Sequence, residues 1–197
     1  MNIPAAYIWP AQRVRAWTTA LDAFAAAGDA AVAATARYDL LAGTAEALTG
    51  HFADWVIVDL APWGPAARSV AGRRHDPELA AALAGLSVHS CPGIISAMSR
   101  RTPLVQAGRA DPAELGVLPD GRSVVDALGA GSYAVSPVTV DDVAIGAITI
   151  VRGSSEPHVT FLELNVLARI ADLAAAAIRR LHAARRPPGS HRRRKPA

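Results

Sequence analysis

The chain is expected to fold as an α+β domain: a mostly antiparallel central sheet with helices packed on it and long terminal helices. Three features of the sequence lead there. Apolar residues at helical spacing fill the first fifty positions, and a long helical pattern from about Thr160 to Ala184 closes the ordered region. Between them, two β-rich runs, Ser132 to Val140 and Val143 to Arg152, are separated only by Asp141-Asp142 and read as a hairpin. Helices flanking antiparallel strands bury one face each by layering on the sheet.

Taken in order, Val14, Trp17, Leu21 and Phe24 form one apolar stripe at 3–4 spacing. Gly28 and Asp29 are expected to interrupt that helix, with Asp29 capping a second helix that runs to about Leu48. Ala53 to Leu60 (ADWVIVDL) reads as a strand, Pro62-Trp63-Gly64-Pro65 as a turn, and Arg68 to Arg73 as the returning strand. Asp76 caps a short helix with Pro77 in its first turn. Gly85 to Gly93 is expected to be a loop, Gly93 to Arg101 a helix, Thr102 to Val105 a brief strand, and Gly108 to Gly121 irregular. The closing helix carries two apolar stripes. Leu164, Leu167, Ala171, Ala174, Ile178 and Leu181 form a heptad-like seam, expected to be a dimer interface, and Leu162, Val166, Ile170, Leu173 and Ala177 form the other. Pro187 and Pro188 end the helix. The division expected is a helical extension over 1–43, a domain over 44–184 and a basic, disordered tail over 185–197.

Composition narrows the function classes. A hydrophobic content of 51% supplies a core and argues against disorder over most of the length. The net charge of +3 comes from the end of the chain, where Arg179, Arg180, Arg185, Arg186, Arg192, Arg193, Arg194 and Lys195 lie. Without these eight, 12 basic residues face 17 acidic ones, a net of −5. No aromatic residue is interleaved with the tail arginines, so stacking on single-stranded nucleic acid is not signalled and a solvated end is expected. No stretch reads as membrane-spanning and the amino terminus lacks a secretory pattern, so a cytoplasmic location is expected. Cys91 is the sole cysteine, which excludes an intrachain disulfide and a thiolate metal cluster. The six histidines, His51, His75, His89, His158, His182 and His191, form no close pair at metal-ligand spacing, and no metal site is expected. No phosphate loop, paired carboxylates or Ser-His-Asp elbow stands out.

The hairpin and closing helix, SYAVSPVTVDDVAIGAITIVRG followed by FLELNVLARIADLAAAAI, resemble the GAF family, with Gly146 in its "G-x-hydrophobic" strand. LTGHFADWVIVDL is similar to that family's opening helix and first strand, and GIISAMSRRTPLV to a later helix and strand, though Arg101-Thr102-Pro103 lacks the usual glycine. The resemblance covers roughly Thr44 to Ala184 and is nearest to actinobacterial GAF domains attached to stress-response phosphatases and antiterminators. It implies a domain that binds a small ligand, and because the stretch after Ala184 is too short for an output domain, a stand-alone sensor or an adaptor is expected. The resemblance also implies signalling to a protein partner through the terminal helices, as a homodimer.

The resemblance places a pocket between the sheet and the loop over residues 85–95, with His89, Ser90, Cys91, Ser96, Tyr133 and Ser136 as ligand-binding candidates. The cofactor is left unknown. Bilin-binding members carry their chromophore on a cysteine usually followed by histidine, whereas Pro92 follows Cys91. His89 is a candidate haem ligand, and Cys91 a candidate redox thiol or a buried small residue. The family's free-methionine-sulfoxide reductases need several cysteines, so a single one argues against that activity. Two further readings stay open: a ligand-free dimerisation or protein-interaction module, and an enzyme with an unrecognised catalytic group.

Overall fold

The computed structural model describes residues 5–49, 52–60, 66–73, 76–108 and 111–184, with side chains in the first helix described from residue 14. His51, His75, His191, the turn over 62–65 and the tail over 185–197 lie outside the described residues. The elements are α1 (Ala5–Ala33), α2 (Arg37–Leu48), β1 (Trp55–Leu60), β2 (Ala67–Gly72), α3 (Pro77–Ala84), α4 (Pro92–Arg100), β3 (Leu104–Ala107), α5 (Val124–Ala127), β4 (Ala130–Val140), β5 (Val143–Gly153) and α6 (Phe161–Ala184). A single 3₁₀ turn, Val88–Ser90, precedes α4.

The strands form one antiparallel sheet in the order β2-β1-β5-β4-β3. Its centre is the β4–β5 hairpin, turned by Asp141 and Asp142 at φ 49° and 61°. Positive φ at both turn residues matches the twist of the strands they join, and aspartate tolerates it. Gly146 brings β1 and β5 together, because a Cβ there would stand 2.1 Å from the Asp59 carbonyl oxygen.

Side chains alternate across the sheet, so each face builds its own core. One face, with Val56, Val58, Ala134, Val138, Ile148 and Ile150, packs under α1, α2 and α6. The other, with Trp55, Tyr133, Val135, Ala147 and Val151, packs under α3, α4 and the segment around Leu115 and Leu118.

Two helical expectations are corrected. α1 runs through Gly28 and Asp29 to Ala33, and Gly28 faces α6, where an added Cβ would lie 3.9 Å from Leu173 Cδ1. α2 starts instead at Arg37, and Asp39 in its first turn reaches back, its carboxylate accepting from the Thr35 hydroxyl at 2.7 Å and the Ala36 N–H at 2.9 Å. The face of α1 that packs is the alanine row Ala20, Ala23, Ala27 and Ala31, all buried, whereas Val14, Trp17, Leu21 and Phe24 stay exposed. Small side chains let α1 approach its neighbours closely, and the large ones are left outside. The same packing corrects the expected dimer seam. Leu167, Ala171, Ala174, Ile178 and Leu181 of α6 are buried within the chain, with Leu164 packed against the same core. The helices expected as an extension before residue 44 are part of this layer, with Leu40 and Leu41 fully buried.

Candidate functional site

The α4-side face of the sheet holds a set of polar groups in an otherwise apolar layer. Asp59 interrupts the apolar run of β1, and Arg68 stands opposite it in β2. They form a two-pronged ion pair at 2.6 and 3.2 Å, each side chain 4% exposed. Arg68 also donates to the Leu83 carbonyl at 3.2 Å and to Cys91 Sγ at 3.5 Å. Burial holds the Asp59 carboxyl above its ordinary value, and the charge and hydrogen bonds of Arg68 offset only part of that rise. For Arg68 burial works against the charge but is outweighed by Asp59, so the guanidinium is held in its charged form.

Cys91 sits at the start of α4 and is fully buried, its thiol against Arg68 and the Ser87 carbonyl. Tyr133 is also fully buried and donates its hydroxyl to Glu114. Burial first, and then that hydrogen bond, push its phenol far above the ordinary value, so Tyr133 stays a protonated donor. Glu114 is carried by the irregular segment over 111–123, which folds over this face. Its carbonyl accepts from Gly93 N–H at 2.8 Å, and Leu115 and Leu118 are buried beside it. Gly116 permits the turn: its φ is +94°, and a Cβ would lie 2.9 Å from the Ser90 carbonyl oxygen.

Thr149 completes the set. It pairs with Val135 and Ile57 across the strands and therefore shares their face. It is fully buried, and among the described residues its hydroxyl has no hydrogen-bond partner. Such a group costs about 1–3 kcal/mol to bury and calls for an acceptor or donor.

The structure brings Cys91 and Tyr133 of the sequence candidates into this layer. His89 and Ser90 are exposed on the 3₁₀ turn and Ser96 is half-buried on α4. Ser136 is corrected: it pairs with Ile148 and faces the α6 layer, because three residues along a strand from Tyr133 is the opposite face. The complete burial of Cys91 also places it away from the exposed setting in which a redox thiol reacts. Sequence reasoning missed Asp59, Arg68, Glu114 and Thr149. The signal available was Asp59, a charge inside a strand that is buried along its whole length. Among the described residues no group of three His, Cys, Asp or Glu is placed to hold a metal ion.

A family model for the GAF domain matches residues 18–178. The chain belongs to the GAF domain family. Solved structures agree on the fold. The GAF domain of an Acinetobacter phosphoenolpyruvate-protein phosphotransferase has 12% identity, covering 83% of this chain and 94% of that one at a TM-score of 0.63. The GAF-B domain of DevS from Mycobacterium smegmatis has 26% identity, covering 74% and 93%, with a TM-score of 0.51. A free methionine-R-sulfoxide reductase from Neisseria meningitidis, in complex with its substrate, has 14% identity, covering 84% and 91%, at 0.58. No curated protein matches the chain. GAF domains are in general regulatory, sensory modules, and among the described residues no helix is long and apolar enough to cross a membrane.

Proposed function

We propose that this GAF domain is a non-catalytic, cytoplasmic regulator that binds a small ligand between the sheet and α4 and reports its occupancy to a protein partner through its terminal helices. The observation that carries this reading is the partnerless, fully buried Thr149 hydroxyl on the face that also holds the Asp59–Arg68 pair. A layer built only to pack has no use for a polar atom without a partner, whereas a ligand entering beneath α4 supplies one. The ligand class that fits offers a hydrogen-bonding edge to Thr149 and an apolar body to the apolar side chains of this layer, Val135, Ala147 and Val151 among them. A buried lone cysteine argues against thiol redox catalysis at this position.

The output surface is the exposed stripe of α1. Val14, Trp17, Leu21 and Phe24 repeat at heptad spacing, next to α6. A second copy of the chain would cover it, which keeps a homodimer in the reading but moves its interface from the α6 seam to α1. The same stripe favours the second reading, a ligand-free interaction module.

Native mass spectrometry of the protein purified from its own host separates the two. A small-molecule mass on the wild type, reduced severalfold in Thr149→Val, supports the ligand reading. Bare polypeptide mass in both, with a dimer that Trp17→Glu dissociates, supports the interaction module.

A further inference from the structure

On the other side of the sheet, between α1 and the head of α6, lies a cavity of about 620 Å³ that no part of the reading above uses. Its floor is electrically closed. Arg152, 13% exposed, lies with its guanidinium 5.9 Å from the Phe52 ring centroid and donates to the Phe52 carbonyl, the Pro157 carbonyl and Glu163 Oε1. The other oxygen of Glu163 accepts from the Thr160 N–H and hydroxyl, both at 2.8 Å. Asp54 accepts from Gly153 N–H at 2.8 Å and, like Glu156, pairs with Arg73. The wall opposite is different. Arg15 on α1 faces the cavity with no hydrogen bond or ion pair among the described residues, next to Ala16, and the floor continues into apolar Phe52, Ala53 and Pro157.

We infer that this cavity is a second ligand site, taking a small organic monoanion with a flat apolar body, an aromatic carboxylate, whose charge Arg15 receives. Arg15 is the lining guanidinium whose donors are not already committed, so the ligand supplies an acceptor there. The lining carboxylates Asp54, Glu156 and Glu163 are each paired with Arg73 or Arg152, so Arg15 is the one lining charge with no partner among the described residues, which matches a single negative charge on the ligand. The volume falls within the range of roughly 300–1,000 Å³ used for small organic ligands. Because the ligand touches both α1 and the start of α6, its binding fastens α1 to the domain. The Thr149 face plays no part in the site, so the two readings stand or fall separately.

The test is calorimetric titration of the full chain with naphthoate, and with uncharged naphthol as the control, on wild type, Arg15→Gln and Ala16→Trp. One saturable naphthoate site is expected, weakened about tenfold or more in Arg15→Gln, the loss of one charge-assisted hydrogen bond. Ala16→Trp fills the cavity and abolishes binding, and naphthol binds about tenfold more weakly than naphthoate for the same reason as Arg15→Gln. Arg15 is exposed, so its replacement leaves the fold intact and decides the matter even if the tryptophan variant does not fold. No saturable binding, equal binding of naphthol, or naphthoate binding unchanged in Arg15→Gln overturns the proposal.

Discussion

The two faces of the sheet place their polar groups differently: on the α6 side Arg152 and Glu163 pair beside the cavity, whereas on the α4 side Asp59 and Arg68 pair within the layer itself. Beneath α1, α2 and α6 the core is aliphatic and alanine-rich, with Ala20, Ala23, Ala27, Leu167, Ala171 and Ile178 closed on one another. Beneath α3 and α4 the layer holds a buried ion pair, a phenol–carboxylate hydrogen bond and a partnerless hydroxyl. Buried polar groups do not in general improve on hydrophobic packing for stability, so the polar groups of the α4 face are what the proposed ligand reading has to account for.

That contrast is open to direct attack, and the largest effect belongs to the aliphatic face. Leu167→Asp puts an unpaired charge where the side chain is fully buried, at a cost of several kcal/mol, and is expected to abolish the cooperative thermal transition. A soluble, folded monomer from this variant would show that α6 is an inter-chain seam after all.

Next in size is the ion pair. Arg68→Met leaves Asp59 buried without its partner and should lower stability by about 3–5 kcal/mol in chemical denaturation. The double change Asp59→Leu with Arg68→Met should recover most of that loss while removing the polar character of the face. If the double variant were as unstable as the single one, the pair would be structural in a way the contrast does not allow.

A smaller effect, of opposite sign, is expected at Thr149. Thr149→Val removes the partnerless hydroxyl at constant shape and should raise the stability of the ligand-free protein by about 1 kcal/mol. A loss of stability would mean that the hydroxyl is satisfied and the site argument fails.

The smallest effect lies outside both faces, at the cap of α2. Hydrogen bonds from the Thr35 hydroxyl and then from the Ala36 and Thr35 N–H groups hold the Asp39 carboxyl below its ordinary value. A depressed carboxyl contributes stability above the unfolded-state pKa and loses it as pH falls through the folded one. Asp39→Asn is therefore expected to lower the melting temperature slightly at neutral pH. The difference from wild type should close as the solution is acidified through the carboxylate range.

Much of the architecture was legible in the residues. Asp141-Asp142 between two β-rich runs specified the hairpin, and Asp76-Pro77 the start of α3, where the Asp76 carboxylate accepts from Leu79 N–H at 2.9 Å. Less of the site was legible. Period-two alternation separates Tyr133 from Ser136 onto opposite faces, and that could have been read from spacing alone. The meeting of Arg68, Cys91 and Asp59 could not, because the first two are 23 positions apart and meet only when the start of α4 is brought against the sheet.

By itself, then, the sequence determined the kind and order of the elements and the family, since local spacing and turn chemistry act over a few residues. Tertiary structure decided which side of each helix is inside. On α1 the large stripe Val14, Trp17, Leu21 and Phe24 looked like the packing face, yet the alanine row went in. A helix buries the side that lets its neighbours come closest, and that depends on the width of the groove offered by α2 and α6 as much as on its own hydrophobicity.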